Sequence, residues 1–195
     1  MSDFTFTAEN AEAAQGFIAR YPDGRQHSAV MPILDLAQRQ NNGWLSNAAI
    51  AHVSDLLDMP RIRVQEVASF YSMYHLKPVG KHVVGVCTTT PCWLRGSAEI
   101  LDTCRAVLGI GVGETTEDGL FTLIEVECLG ACCNAPMLQI DDDYYEDLDS
   151  DSTHNLFDSL RRGETPKAGS QTGRISSEPA TGLTTLKDSQ NPEAT

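Results

Sequence analysis

The sequence predicts an α+β fold in which a helical region precedes a region of alternating strands and helices. Apolar residues recur at helical spacing over about the first 75 positions, and short β-branched runs replace that spacing after residue 80. The chain has 195 residues, enough for one or two domains. A domain of about 150 residues can bury about 70% of the surface of its unfolded chain, so it needs neither disulfides nor a metal merely to fold.

Four helices are predicted in the first region. Pro32 is tolerated inside the second helix only near its first turn, and Ser46 or Asn47 is expected to cap the third. The links are short, so we expect an antiparallel helical bundle, assigned to residues 1–78. The predicted helices cover residues 8–20, 27–40, 47–60 and 64–74.

The second region shows the order β-α-β-β-α. This order matches the core of a thioredoxin-like α/β domain, assigned to residues 79–164, although the usual C-x-x-C redox motif is missing. From residue 165 the chain is rich in Gly, Ser, Thr, Pro and Gln, so residues 165–195 are predicted to be a disordered tail. The predicted elements are strands at 82–86 and 121–126, a helix at 92–108, a hairpin at 137–140 and 144–145, and a last helix capped by Ser152 or Thr153.

Charge is distributed unevenly. The chain has 14 Lys plus Arg and 27 Asp plus Glu, and its net charge of −13 argues against a general nucleic-acid binder and against docking on anionic lipid. Residues 141–151 alone contain seven acids. This run indicates either a solvated loop and strand edge or a docking face for a basic partner, and the sequence leaves both open.

No segment has the pattern of a targeting signal or of a membrane span. The first 20 residues contain three acids and no basic residue before Arg20, and no stretch approaches the roughly 20 apolar residues that cross a bilayer. We therefore expect a reducing compartment, in which six cysteines bind metal or stay free rather than form disulfides.

Four cysteines form two pairs, each directly after a predicted strand. The first pair is Cys87 and Cys92, and the second is Cys128 with Cys132, which has Cys133 beside it. Since neighbouring strand ends bring their loops together, four thiolates can surround one metal centre. The spacing alone leaves three alternatives: a [2Fe–2S] cluster, structural zinc, or ordinary buried thiols. Cys104, within the predicted helix, is interpreted as a core residue.

These cysteine motifs resemble the thioredoxin-like [2Fe–2S] subunit of respiratory complex I, the E subunit of bacterial NADH–quinone oxidoreductases. The resemblance covers about residues 10 to 165. Cys133 is a departure, since a small apolar residue is expected there, and it creates an ambiguity between Cys132 and Cys133. The spacing of the family motif favours Cys132. The segments that carry the resemblance are 86–96 (VCTTTPCWLRG), 127–132 (ECLGAC), 28–32 (SAVMP), 43–45 (GWL), 60–64 (PRIRV) and 66–71 (EVASFY).

The resemblance implies one [2Fe–2S] cluster bound by Cys87, Cys92, Cys128 and Cys132. It implies an electron carrier without a catalytic site of its own, in contact with the subunit that binds FMN and NADH. It also implies a place in a peripheral arm on the cytoplasmic side of a bacterial inner membrane. Two rivals remain: the same module in a soluble NAD-linked hydrogenase or formate dehydrogenase, and a zinc-stabilised adaptor without redox chemistry.

Overall fold

The computed structural model describes residues 4–182, 184 and 185. The chain divides into two compact units, Met1–Lys81 and His82–Thr195. The first is formed by helices, and the second contains a five-stranded sheet.

Four helices of the first unit pack around one cluster of buried apolar side chains. They are α1 (Ala8–Ile18), α2 (Val30–Gln40), α3 (Asn47–Leu57) and α4 (Arg61–Phe70), with a short 3-10 turn at Gln26–Ala29. The cluster includes Ile33, Leu34, Val53, Leu57 and Val64.

Local signals explain where these helices begin and end. The Ser46 hydroxyl accepts a hydrogen bond from the Ala49 N–H at 3.1 Å, so the predicted cap of α3 is confirmed. Helix α2 begins at Val30, which places Pro32 in its first turn, as expected. Helix α4 begins three residues earlier than predicted, directly after Pro60, and ends at Phe70 instead of residue 74.

The second unit is built on a five-stranded mixed sheet. The strands are β1 (His82–Cys87), β2 (Phe121–Val126), β3 (Leu138–Ile140), β4 (Asp143–Glu146) and β5 (Gly169–Ser170), and the helices are α5 (Thr90–Leu94), α6 (Ser97–Leu108) and α7 (Ser150–Arg161). The strand order in the sheet is β2-β1-β3-β4-β5. Strand β1 pairs with β2 in parallel and with β3 antiparallel, and β3 and β4 form the predicted antiparallel hairpin.

The core of this unit lies between the sheet and helices α6 and α7. Phe121 and Phe157 meet edge to face, with ring centroids 5.5 Å apart. Cys104 is fully buried in this core, as predicted, and burial raises the pKa of its thiol to about 12. Within the described residues, no helix combines the length and apolar character needed to cross a membrane.

Two helix predictions in this unit are wrong in detail. The single helix predicted over residues 92–108 is two helices, separated at Gly96, whose φ of 98° does not fit a helix. The cap of α7 is Asp149 rather than Ser152 or Thr153. The Asp149 carboxylate accepts from the Ser152 N–H at 2.8 Å, and the Ser152 hydroxyl accepts from the Asp149 N–H at 2.9 Å, a reciprocal capping box.

The segment after residue 165 differs from the predicted disordered tail. Gly169–Ser170 adds strand β5 to the sheet, parallel to β4. Arg174 forms an ion pair with Asp147 at 2.9 Å, and 13% and 8% of the two side chains are exposed. The composition of this segment offers little apolar burial, but strand pairing and a shielded ion pair hold residues 169–174 against the sheet. Residues 183 and 186–195 of the predicted tail lie outside the described residues.

Candidate metal centre

The sheet brings the two cysteine loops together. Strands β1 and β2 are parallel, and Cys87 at the end of β1 pairs in register with Val126 at the end of β2. The carboxyl ends of the two strands therefore lie at the same edge of the sheet, and the loops that follow them are neighbours. The juxtaposition expected from the sequence is confirmed.

The first pair of thiols is buried. Cys87 closes β1, Cys92 lies in α5, and each residue is 1% exposed. The two thiols interact with each other. Apolar neighbours pack around them, among them Ala135 and Met137. This pair is held by regular secondary structure and shielded from water.

The second pair is exposed and lies in a loop. The sulfur atoms of Cys128 and Cys132 are 3.3 Å apart. The Gly130 N–H lowers the pKa of the Cys128 thiol. Gly130 has a φ of 85°, a conformation that glycine adopts without strain. A single left-handed residue thus turns the backbone toward the thiol.

Contacts between the two loops link the first pair of thiols to the second. The Thr89 hydroxyl lies 3.4 Å from the Cys87 sulfur and also hydrogen-bonds to Cys128. The Leu129 N–H donates to Cys87. Cys132 interacts electrostatically with both Cys87 and Cys92. The four cysteines predicted as ligands are therefore assembled at one end of the sheet.

Cys133 is exposed like its neighbour Cys132, but its backbone has a separate contact. The Cys133 carbonyl accepts a hydrogen bond from Arg174 at 3.1 Å. It is the Cys132 sulfur that lies within 3.3 Å of Cys128. This geometry favours Cys132 over Cys133 as the partner of Cys128.

Each pair contains one thiol with a lowered pKa and one with a raised pKa. Burial raises the pKa of Cys87, but hydrogen bonds from Thr89 and other donors outweigh it and leave that pKa lowered. Burial, with the hydrogen bond to Cys87, raises the pKa of Cys92 to about 12. The Gly130 N–H lowers the pKa of Cys128, and the hydrogen bond to Cys128 raises that of Cys132. Metal binding requires all four thiolates, so it releases the shared protons.

The donor set fits a two-iron cluster. Four soft thiolates in two pairs match a [2Fe–2S] centre, in which each iron takes two protein ligands. Among residues 4–182, 184 and 185, no three His, Cys, Asp or Glu side chains are grouped to hold a single metal ion.

Two residues that position the site were not predicted from the sequence. Thr89 contacts sulfur atoms of both loops, although it stands in the run Thr88-Thr89-Thr90, where nothing distinguishes it. The Tyr144 hydroxyl donates to the Leu129 carbonyl at 3.1 Å and so ties β4 to the second cysteine loop. Tyr144 lies in the predicted hairpin, and the tendency of a tyrosine hydroxyl to find a hydrogen-bond partner was the signal that could have indicated this contact.

A small mixed sheet with two pairs of thiols at the edge where two parallel strands end is typical of the thioredoxin-like [2Fe–2S] class of proteins. The sequence model of the thioredoxin-like [2Fe–2S] ferredoxin family matches residues 14–161, and the chain belongs to that family. It is 52% identical over 183 residues to "NADH dehydrogenase [ubiquinone] flavoprotein 2, mitochondrial" of Dictyostelium discoideum, an alignment that covers 94% of this chain and 74% of the relative. The chain is also 53% identical over 161 residues to the E subunit of the NADH-quinone oxidoreductase of Rickettsia bellii. This alignment covers 83% of this chain and 96% of the relative.

Solved structures show the same fold. The air-oxidized NAD+-reducing [NiFe]-hydrogenase superposes with a TM-score of 0.59 at 22% identity. The match covers 67% of this chain but spans only 23% of that hydrogenase chain. At this identity the similarity concerns the fold and not the enzyme's activity.

Proposed function

We propose that this chain is the electron-transfer subunit of an NADH–quinone oxidoreductase, where its cluster exchanges electrons with the FMN of the NADH-binding partner subunit. The observation that carries the proposal is that two pairs of thiols lie in the neighbouring loops at one sheet edge. The relatives from Dictyostelium and Rickettsia, named as subunits of such oxidoreductases, support the choice of complex. When bound, a [2Fe–2S] cluster supplies a one-electron redox couple.

The proposed ligands are Cys87, Cys92, Cys128 and Cys132. Cys87 and Cys92 anchor the cluster from a buried position, whereas Cys128 and Cys132 complete it from the exposed loop. Donors from Thr89, Leu129 and Gly130 reach the sulfurs and stabilise negative charge on them. The chain's own residues thus bind the cluster and set its electrostatic surroundings.

A contact surface for the partner lies beside the proposed cluster. Trp93 and Leu94 directly follow Cys92, and 64% and 71% of their surfaces are exposed. A groove of about 330 Å³ borders this surface, lined by Trp93, Glu127 and the run Thr88-Thr89-Thr90. Exposed aromatic residues are typical anchors of protein interfaces. We infer that the flavin-binding subunit covers this surface.

The helical unit offers a second contact region. Ile62, Phe70 and Met73 have 64%, 80% and 51% of their surfaces exposed. Exposed apolar side chains of this size mark interaction sites when they cluster. We propose that α1–α4 form an antiparallel bundle that contributes this region to the contact with the same partner. In this proposal the chain lies in a peripheral arm on the cytoplasmic side of a bacterial inner membrane.

Co-purification with the NADH-binding subunit tests the proposal. NADH added anaerobically to the complex is expected to produce the EPR signal of a reduced [2Fe–2S] cluster. Trp93→Ala should weaken partner binding by about ten-fold or more, since interface tryptophans often contribute over 1 kcal/mol. Val112→Ala, at an apolar residue that is also exposed in this unit, is the matched control and should bind normally. A cluster that NADH leaves oxidised in the intact complex would refute the assignment.

A further inference from the structure

Residues 169–176, here called the strap, lie beyond residue 161, where the family match ends. The strap is joined to the sheet by β5 and to the second cysteine loop by side chains. Arg174 Nη2 donates to the Cys133 carbonyl at 3.1 Å. The Asn134 side-chain amide donates to the Ser176 carbonyl at 2.8 Å. Both bonds end on the 3-10 turn Cys132–Asn134, which contains a proposed ligand.

Asp147 is the residue that both the strap and the turn contact. Its carboxylate accepts from Arg174 Nη1 at 2.9 Å and from the Ser170 hydroxyl at 2.6 Å. Its backbone N–H donates to the Asn134 carbonyl at 2.8 Å. The same residue therefore holds the strap through its side chain and the Cys132–Asn134 turn through its backbone.

The ion pair of the strap is shielded from water. Only 13% of the Arg174 side chain and 8% of the Asp147 side chain are exposed. Arg174 Nε is fully buried and has no hydrogen-bond partner within the part of the chain that the structure describes. A surface ion pair contributes little, but removing one partner of a shielded pair leaves an uncompensated charge, which is strongly unfavourable.

We propose that the strap fixes the Cys132–Asn134 turn and that Arg174 is a positioning residue for the ligand Cys132. This inference rests on the proposed function, because a cluster must be bound for Cys132 to act as its ligand. The exposed second pair has no burial of its own to hold it, and the strap supplies the restraint through the Cys133 carbonyl. The buried first pair needs no such device.

Arg174→Gln in the full, cluster-loaded chain tests the proposal. With a chelator added, loss of the visible cluster absorption should be several-fold faster than in the wild type. The midpoint potential, measured by EPR-monitored titration, should fall, because the unpaired Asp147 carboxylate adds negative charge near the centre. Arg162→Gln, which breaks the exposed ion pair with Glu164, is the matched control and should match the wild type in both measurements.

Ser170→Ala tests the restraint on the turn without changing the charge near it. The substitution removes the hydrogen bond to Asp147 and leaves the ion pair between Arg174 and Asp147 in place. It should speed cluster loss with little change in potential. Wild-type release rates in Arg174→Gln would overturn the proposal, and if that variant does not fold, a wild-type rate in Ser170→Ala would do so.

A measurement on the metal-free chain tests the strap independently of cluster binding. Should the wild type bind no [2Fe–2S] cluster, the proposed function fails, and the strap is tested by hydrogen exchange at Asn134, whose N–H donates to the Ala131 carbonyl at 3.0 Å. Exchange should be several-fold faster in Arg174→Gln. Equal exchange in the two chains would contradict the strap.

Discussion

The two cysteine loops hold the same kind of ligand by different means. Cys87 and Cys92 are 1% exposed and belong to a strand and a helix, whereas Cys128 and Cys132 are exposed and lie in a loop. The first pair is positioned by core packing. The second depends on local donors, the Tyr144 hydroxyl and the strap. One side of the centre is therefore built into the fold, and the other is held by contacts that single substitutions can remove.

Replacing a buried ligand should have the largest effect. Cys92→Ala is expected to abolish the cluster, because the loss of one of four thiolates leaves an iron incompletely ligated. Cys104→Ala removes an equally buried thiol from the core and should retain the cluster at a stability cost of about 1–2 kcal/mol. Visible absorption and iron content of the two purified variants check this. Equal iron content in both would exclude Cys92 as a ligand.

In the metal-free chain, the exposed and the buried cysteine pairs should differ in the reactivity of their thiols. Cys128 is exposed and has a lowered pKa, so near neutral pH its thiolate fraction exceeds that of an ordinary cysteine. Cys92 is buried with a pKa raised to about 12 and stays protonated. We expect Cys128 to be alkylated about ten-fold faster or more, as measured by peptide mass mapping. Comparable rates would show that the two loops are equally accessible.

Thr89→Val tests the residue that bridges the two pairs. The substitution keeps the shape and removes the hydroxyl that contacts both sulfurs. Loss of a donor to the sulfurs should lower the midpoint potential and weaken cluster retention by about ten-fold. Thr103→Val, which removes a hydroxyl bonded to Ser150 in the same unit, is the control. An unchanged potential in Thr89→Val would place its hydroxyl outside the electrostatic influence of the centre.

The smallest expected effect is that of Gly130→Ala. At a φ of 85°, an alanine should cost about 1–2 kcal/mol of unfolding free energy and loosen the second loop. Gly16→Ala in α1 is the opposite case, since nothing lies within 4 Å and the change should stabilise its helix by about 0.5–1 kcal/mol. Thermal unfolding measures both. Destabilisation in Gly16→Ala would contradict the expected gain in helix stability. An unchanged stability in Gly130→Ala would contradict the expected backbone strain.

The difference between the two cysteine loops also explains which parts of the fold and of the site can be predicted from the sequence. Strands β1 and β2 follow from short β-branched runs, a local signal, and β1 ends at the buried Cys87. The break at Gly96 was missed because one glycine inside a helical pattern does not by itself end a helix. The strap could not be predicted, since Arg174 and Asp147 are 27 positions apart and their pairing depends on the folded sheet.

Metal and sulfide analysis with EPR of the anaerobically purified, dithionite-reduced chain tests whether the four cysteines bind a [2Fe–2S] cluster. We expect about two iron atoms and two sulfides per chain, with the EPR signal of one reduced [2Fe–2S] centre. One zinc per chain without an EPR signal would contradict it and favour a structural zinc site at the same four cysteines.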